Sequence, residues 1–269
     1  MQKPGKSENP MVRMTHIEKM FGKGTVNEKT VFTDFSLSID KGDFVSVIGS
    51  NGSGKTTMLN LLCGSIPADR GEIEVAGKRI DKLKEHQRSR FIGRVFQDPG
   101  KGSCASLTIL ENMSLADNKG KHYYLTGGVN RKRLDDYRAM LEPLGLGLEN
   151  HMNLTVGSLS GGQRQALALL ISTMTPIDLL ILDEHTASLD PRSTETVMEL
   201  TQKVVREKKL TTLMVTHNLR HAVKYGNRLL MMHQGQAVVD VTEAERDNYS
   251  VDDLLKIFNE ISIEVGNKV

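Results

Sequence analysis

The 269-residue chain is 38% apolar and 25% charged with a net charge of +2, and its mean hydropathy is -0.31, an ordinary globular balance with room for one large core or two modest ones. So small a charge provides no strong field for nucleic acid or an anionic lipid surface. No N-terminal apolar run resembles a signal peptide, and the longest apolar-leaning stretch, 166–177, is too short to span a bilayer and contains Pro176.

The first ten residues are polar and expected to be loose. Residues 29–40 place Phe32, Phe35, Leu37 and Ile39 on one face of a half-buried strand. After a Lys41-Gly42 turn, residues 43–48 read as a more buried strand that runs into a glycine loop. Residues 55–63 continue as a helix closed by Gly64. Short strands are expected at 72–76 and 91–96. The stretch from Gln97 to Leu159 changes character: helices are expected at 109–115 and, behind an Asn130 cap, at 131–141. The Gly/Ser/Lys-rich loops around 98–106 and 117–129 are expected to be mobile, and Arg131-Lys132-Arg133 to be solvated helix surface.

Beyond this helical insert, 161–174 reads as a helix, 179–182 as a buried strand, and 191–206 as a helix opening with Pro191. Strands follow at 213–216 and 229–232. From Val251 an amphipathic helix is expected, with Leu254, Leu255, Ile257 and Phe258 as its apolar side. Alternating strands and helices imply an α/β fold with a largely parallel sheet. Cys63 and Cys104 match no zinc or redox spacing and are expected to be buried thiols in a reducing compartment.

The chemistry starts at Gly49-Ser50-Asn51-Gly52-Ser53-Gly54-Lys55-Thr56. Glycines let successive amides turn inward as a nest for phosphate, at the positive end of the following helix. Lys55 is placed to bridge the β- and γ-phosphates and the Thr56 hydroxyl to hold Mg²⁺, with Thr57 next to it. The apolar run Leu179-Leu180-Ile181-Leu182 ends in Asp183 and Glu184, at the strand end where open sheets bind ligands. Asp183 suits an outer-sphere Mg²⁺ partner, and Glu184 suits a base that polarises water for attack on the γ-phosphate. His217 and Gln97 also follow strands. The first is expected at the γ-phosphate, and the second as a neutral sensor of metal and water.

Together with Leu159-Ser160-Gly161-Gly162-Gln163, flanked by Arg164-Gln165, and with Ser188-Leu189-Asp190, these segments resemble the ATP-binding cassette (ABC) ATPases in family order. The resemblance covers about residues 11–245 and points to the nucleotide-binding subunit of a transporter. It implies a P-loop NTPase core with a mainly parallel sheet, about 11–97 and 165–245. It also implies an antiparallel β subdomain, an inserted α-helical subdomain at about 98–164, and a helical tail at 246–269.

The resemblance further implies that two copies pair head to tail, each ATP lying between one copy's phosphate loop and the other's Ser160, Gly161, Gly162 and Gln163. Asp190 would communicate between the two sites, and Phe21 would stack on adenine. An integral membrane permease would insert a short helix near 97–111, where Leu107–Asn112 looks like the segment of importer subunits. An extracytoplasmic substrate-binding protein would act through the permease, with no role for nucleic acid. The subunit would then lie on the cytoplasmic face of the membrane. Export, or a non-transport role such as iron–sulfur assembly, stays open as an alternative.

One position departs from the family pattern. His185 stands where most members have proline, a variant resembling ATPases paired with tryptophan- or tyrosine-binding lipoproteins. It is expected to be a tolerated loop residue and not the base.

Overall fold

Strand β1 (Val12–Phe21) pairs antiparallel with β2 (Lys29–Ile39). Phe32 and Phe35, three residues apart, are both buried on β2, because the β1–β2 register shifts between Met14 and Ile17 and again up to Met20. Strand β3 (Phe44–Gly49) is buried at all six positions, as a strand covered on both faces must be. It delivers the glycine loop to helix α1 (Lys55–Cys63). Gly64 ends α1 in a left-handed conformation, its N–H donating to Asn60 O at 2.9 Å. Strand β4 (Arg70–Val75) lies on the other side of β1, β5 (Lys78–Arg79) pairs with β4, and helix α2 (Glu85–Arg88) follows. The buried Arg88 guanidinium donates to Leu61 O and Leu62 O at 2.6 and 3.1 Å, completing the C-terminal cap of α1 with a positive charge.

The computed structural model describes residues 9–121, 128–242 and 249–257. They fall into two compact units. One runs up to Arg88 and resumes at Leu210; the other is Ser89–Lys209.

The second unit opens with β6 (Ile92–Val95) and continues through α3 (Ile109–Asp117), α4 (Leu134–Leu141) and α5 (Gly161–Thr173) to β7 (Leu179–Asp183) and α6 (Pro191–Lys208). Strands β6 and β7 are parallel, with Arg94 opposite Ile181. Thr108 and Glu111 form a reciprocal capping box at the start of α3. Before α4, residues 131–133 form a 3-10 turn, and Asn130 makes no side-chain cap; its N–H instead donates to Ser114 Oγ at 3.2 Å. The expected Asn130 cap is therefore corrected.

Arg133 is also not simple solvated surface. It pairs with Asp117 and, at 3.0 Å, with Asp136, while Tyr137 donates to Asp117 at 3.1 Å. Burial pushes the Asp117 carboxyl up, but the hydrogen bonds from Arg133 and Tyr137 outweigh it and hold it below the usual carboxylate range. Residues 99–101 close a 3-10 turn capped by the Asp98 carboxylate, and residues 122–127 of the second expected loop lie outside the described residues.

The first unit resumes with β8 (Thr211–Val215), α7 (Leu219–Lys224), β9 (Arg228–His233) and β10 (Gln236–Thr242). Strand β3 lies between β8 and β9, parallel to both, and β10 is antiparallel to β9. Residues 251–257 are helical and bury Leu254 against Ile48, Leu229 and Met231; Leu255 stays 44% exposed, and Phe258 lies outside the described residues. The expected apolar side of this helix is thus narrower than four residues. Cys63 is buried as expected, whereas Cys104 is exposed. The elements are those of an α/β fold. Parallel strands are accompanied by a four-stranded antiparallel sheet, β2-β1-β4-β5, and by a helical stretch between β6 and β7.

Candidate functional site

In the first unit the carboxyl end of β3 becomes an anion cradle made almost wholly of backbone. Gly49, Gly52 and Gly54 all have positive φ. At Gly49 a Cβ would lie 2.3 Å from Met232 O, so only glycine lets the loop leave β3 so close to β9. Gly54 opens α1 with no side-chain cap, so the first amides of the helix are left for an anion at its positive end. The buried Lys55 ammonium donates to Gly49 O and Ser50 O at 2.7 and 3.0 Å, which gathers its charge over the loop. Ser53 O accepts from the N–H of Gly235, in the β9–β10 turn, at 3.0 Å. Thr56 is exposed and Thr57 half-buried. This arrangement fits a polyphosphate: inward amides, one cation and a hydroxyl at the rim.

His217 lies on the same strand ends. Val215 of β8 is in register with Val47 of β3, and Thr216 N–H donates to Val47 O at 3.1 Å, so the exposed His217 follows at the level of the loop. Asn218 then caps α7 through His221 N–H at 3.2 Å. Phe21 ends β1 with its ring 40% exposed and the Lys19 ammonium 5.3 Å from the ring centroid. An exposed aromatic at a strand end is the geometry of a stacking platform.

The second unit is built differently, by side chains tied to side chains. Asp183, at the end of β7, accepts a 2.7 Å bond from Arg94 of β6, both side chains being largely buried. The Arg94 guanidinium also lies 4.6 Å from the Phe96 ring centroid. Arg94 was absent from the expected site; its signal was a lone arginine in the buried run Ile92-Gly93-Arg94-Val95. Because a carboxylate accepts up to four hydrogen bonds, Asp183 keeps capacity for an outer-sphere partner beside Arg94.

Glu184 follows with φ 48°, a left-handed conformation that a glutamate adopts only under constraint. Its carbonyl accepts from Ala187 N–H at 2.9 Å, closing a turn. His185 is only 2% exposed, with Nε2 3.2 Å from Thr201 Oγ1 in α6. His185 thus lies in the turn after β7, as expected of a loop residue, but is buried there. Gln97 is exposed, and its carbonyl accepts from Ser188 Oγ at 3.2 Å, which ties its loop to the loop after Glu184.

Ser160 caps α5. Its hydroxyl accepts from Gln163 N–H at 3.2 Å and its own N–H donates to Gln163 Oε1 at 3.1 Å, while Gln163 Nε2 donates to Leu146 O at 3.3 Å. The Gln163 side chain thus holds this turn together at both ends. A Cβ on Gly161 would meet Leu189 at 3.1 Å and one on Gly162 would meet Ser193 at 3.0 Å. The two glycines let α5 approach the segment around Asp190. The Asp190 carboxylate caps α6 through Ser193 N–H at 3.0 Å, and hydrogen bonds from the Ser193 hydroxyl and amide hold it below the usual carboxylate range. The first unit therefore brings together residues 49–57 and His217, and the second brings together Gln97, Asp183, Glu184 and the segments at 160–163 and 188–190.

Comparison with known proteins agrees with this architecture. The family model described as "ABC transporter" matches residues 32–187, more than half of the chain. The tyrosine transport ATP-binding protein of Clostridioides difficile (strain R20291) is 44% identical over 92% of this chain and 98% of its own length. The macrolide export ATP-binding/permease protein MacB of Aggregatibacter actinomycetemcomitans is 29% identical over 96% of this chain but only 41% of its own. Among solved structures, the dimeric post-hydrolysis ATP-binding cassette MJ0796 bound to ADP and Pi superposes with a TM-score of 0.73 at 27% identity, over 87% of this chain and 99% of that one. The chain belongs to the ABC transporter family and is an ATP-binding, ATP-hydrolysing subunit of it.

Proposed function

We propose that this subunit powers the import of an amino acid, of the aromatic class, through a partner permease. The observation that carries this reading is the near full-length match to the tyrosine transport ATP-binding protein. Two copies would pair head to tail, with the phosphate loop of one facing Ser160, Gly161, Gly162 and Gln163 of the other. Among the described residues no helix is long and apolar enough to cross a membrane, so attachment to the cytoplasmic face would come through the permease. A binding protein outside the cell would present the substrate. The cassette is read as residues 11–245, with a helical subdomain at about 98–164 and a tail at 246–269.

Within the site, Phe21 would stack on adenine, and the amides of Gly49–Thr57 with the Lys55 ammonium would orient the phosphates. Thr56, Gln97 and, through water, Asp183 would hold Mg²⁺, which would supply positive charge against the phosphates. Glu184 would polarise the attacking water and His217 would contact the γ-phosphate. Asp190 would couple the two sites of the dimer. Because the terminal phosphate is gripped from both sides, its release would open the pair and move the permease as a rigid body.

The test is transport. With its permease in vesicles, the wild-type subunit should drive ATP-dependent uptake of tyrosine or tryptophan, and Glu184→Gln should stop it. Outward pumping would instead favour the export reading, which the MacB match supports. A Glu184→Gln protein that stays monomeric with saturating Mg-ATP, alone and with its permease, would sink the paired arrangement.

A further inference from the structure

We propose that His185 is a positioning residue for Glu184: its imidazole, as the Nε2–H tautomer, pins the turn that carries Glu184 to the middle of α6. The proposal rests on the reading of Glu184 as the group that polarises water.

The hydrogen-bond arithmetic places a hydrogen on Nε2. Thr201 Oγ1 lies 2.7 Å from Val197 O and 3.2 Å from His185 Nε2. A hydroxyl has one hydrogen, and a carbonyl oxygen can only accept. The Thr201 hydrogen therefore goes to Val197 O, its oxygen offers a lone pair to the imidazole, and Nε2 carries the hydrogen. Both side chains are buried, so water does not compete and the geometry is enforced.

What the pin holds is a strained residue. Glu184 has φ 48°, and its neighbours on both sides are anchored: Asp183 by Arg94, and His185 by Thr201. The Ala187 N–H to Glu184 O bond closes the same turn. Such a conformation persists only where its surroundings over-determine it. Without the His185 anchor the backbone would relax toward an ordinary φ and swing the carboxylate away from its aim. Thr201 also lies on the helix that Asp190 caps, so the His185–Thr201 hydrogen bond ties the Glu184 turn to that helix.

The full-length protein serves for the test. His185→Ala and Thr201→Val should each lower kcat for ATP hydrolysis about 10-fold, with KM changing by no more than about 2-fold. The double variant should be no worse than either single one. His185→Gln, whose side-chain amide can donate from near the Nε2 position, should restore most of the loss, and His185→Asn should not. Independently of turnover, long-range ¹H–¹⁵N spectra of the nucleotide-free protein should show His185 as the Nε2–H tautomer, perturbed in Thr201→Val. If His185→Ala fails to fold, Thr201→Val and the spectra still decide. Variants that melt earlier yet turn over at the wild-type kcat would reduce His185 to core filling, and an Nδ1–H tautomer would overturn the pin outright. Wild-type turnover that survives Glu184→Gln would fault the reading of Glu184 instead, leaving the tautomer to judge the anchor.

Discussion

The glycine loop at 49–56 and the Glu184 turn are built by opposite means. The loop presents backbone amides, shaped by glycines within six residues of one another, and its Lys55 ammonium folds onto the loop's own carbonyls. The turn presents a side chain, and its shape depends on partners distant in sequence: Arg94, 89 positions from Asp183, and Thr201, 16 positions from His185. An anion needs many weak donors, which a local backbone supplies. An aimed carboxylate needs one rigid position, and that takes tertiary anchors.

The largest expected effect separates the two regions. Glu184→Gln should lower hydrolysis by about 10²–10⁴-fold while ATP affinity, measured by equilibrium binding, stays near wild type. Parallel losses of both would break the division of labour. Gly49→Ala should do the reverse and remove ATP binding. Its Cβ must displace the Met232 carbonyl, and unfolding should become easier by more than about 2 kcal/mol.

Arg94→Leu comes next. It leaves the Asp183 carboxylate without its cation, and denaturant titration should show a loss of about 2 kcal/mol, with hydrolysis falling more than binding. Ser160→Ala removes a helix cap and should cost about 1 kcal/mol, with Ser160→Asp keeping most of that stability. The smallest effect is in pH. Asp117 has a depressed folded value, so its contribution is fully present above the ordinary carboxylate pKa and fades as pH falls through the folded one. Asp117→Asn should flatten that acid limb of the stability profile.

What the sequence made legible follows the same division. Strand β3, the glycine loop and α1 are contiguous, each with a local signature; the helix has the expected bounds, and the strand runs one residue later than expected, at 44–49 in place of 43–48. Strand β1 went unread because its bulges break the period-2 pattern: Val12 and Met14 alternate, and then Ile17 falls out of phase. Strand β10 has a similar shift between Ala237 and Val239. The residues Asp183 and Glu184 were visible as an acidic strand end, but Arg94 and Thr201 were not, since no spacing rule links one strand or helix to a partner so far along the chain. His185 stood out only as an oddity, and burial changed its meaning. Asn130 had the residue type of a cap, but its side chain accepts no hydrogen bond from the turn that follows.

The bond from Gly235 to Ser53 has a consequence for dissection of the protein. Val31 O would lie 1.9 Å from a Cβ on Gly235, so the hairpin is wedged between the second strand and the loop it braces. A fragment stopped at residue 227 would retain each recognisable motif from Gly49 to His217 and yet lose both β9, against which Gly49 is fitted, and this strut. Motif content is therefore a poor guide to the shortest piece that can still grip a nucleotide.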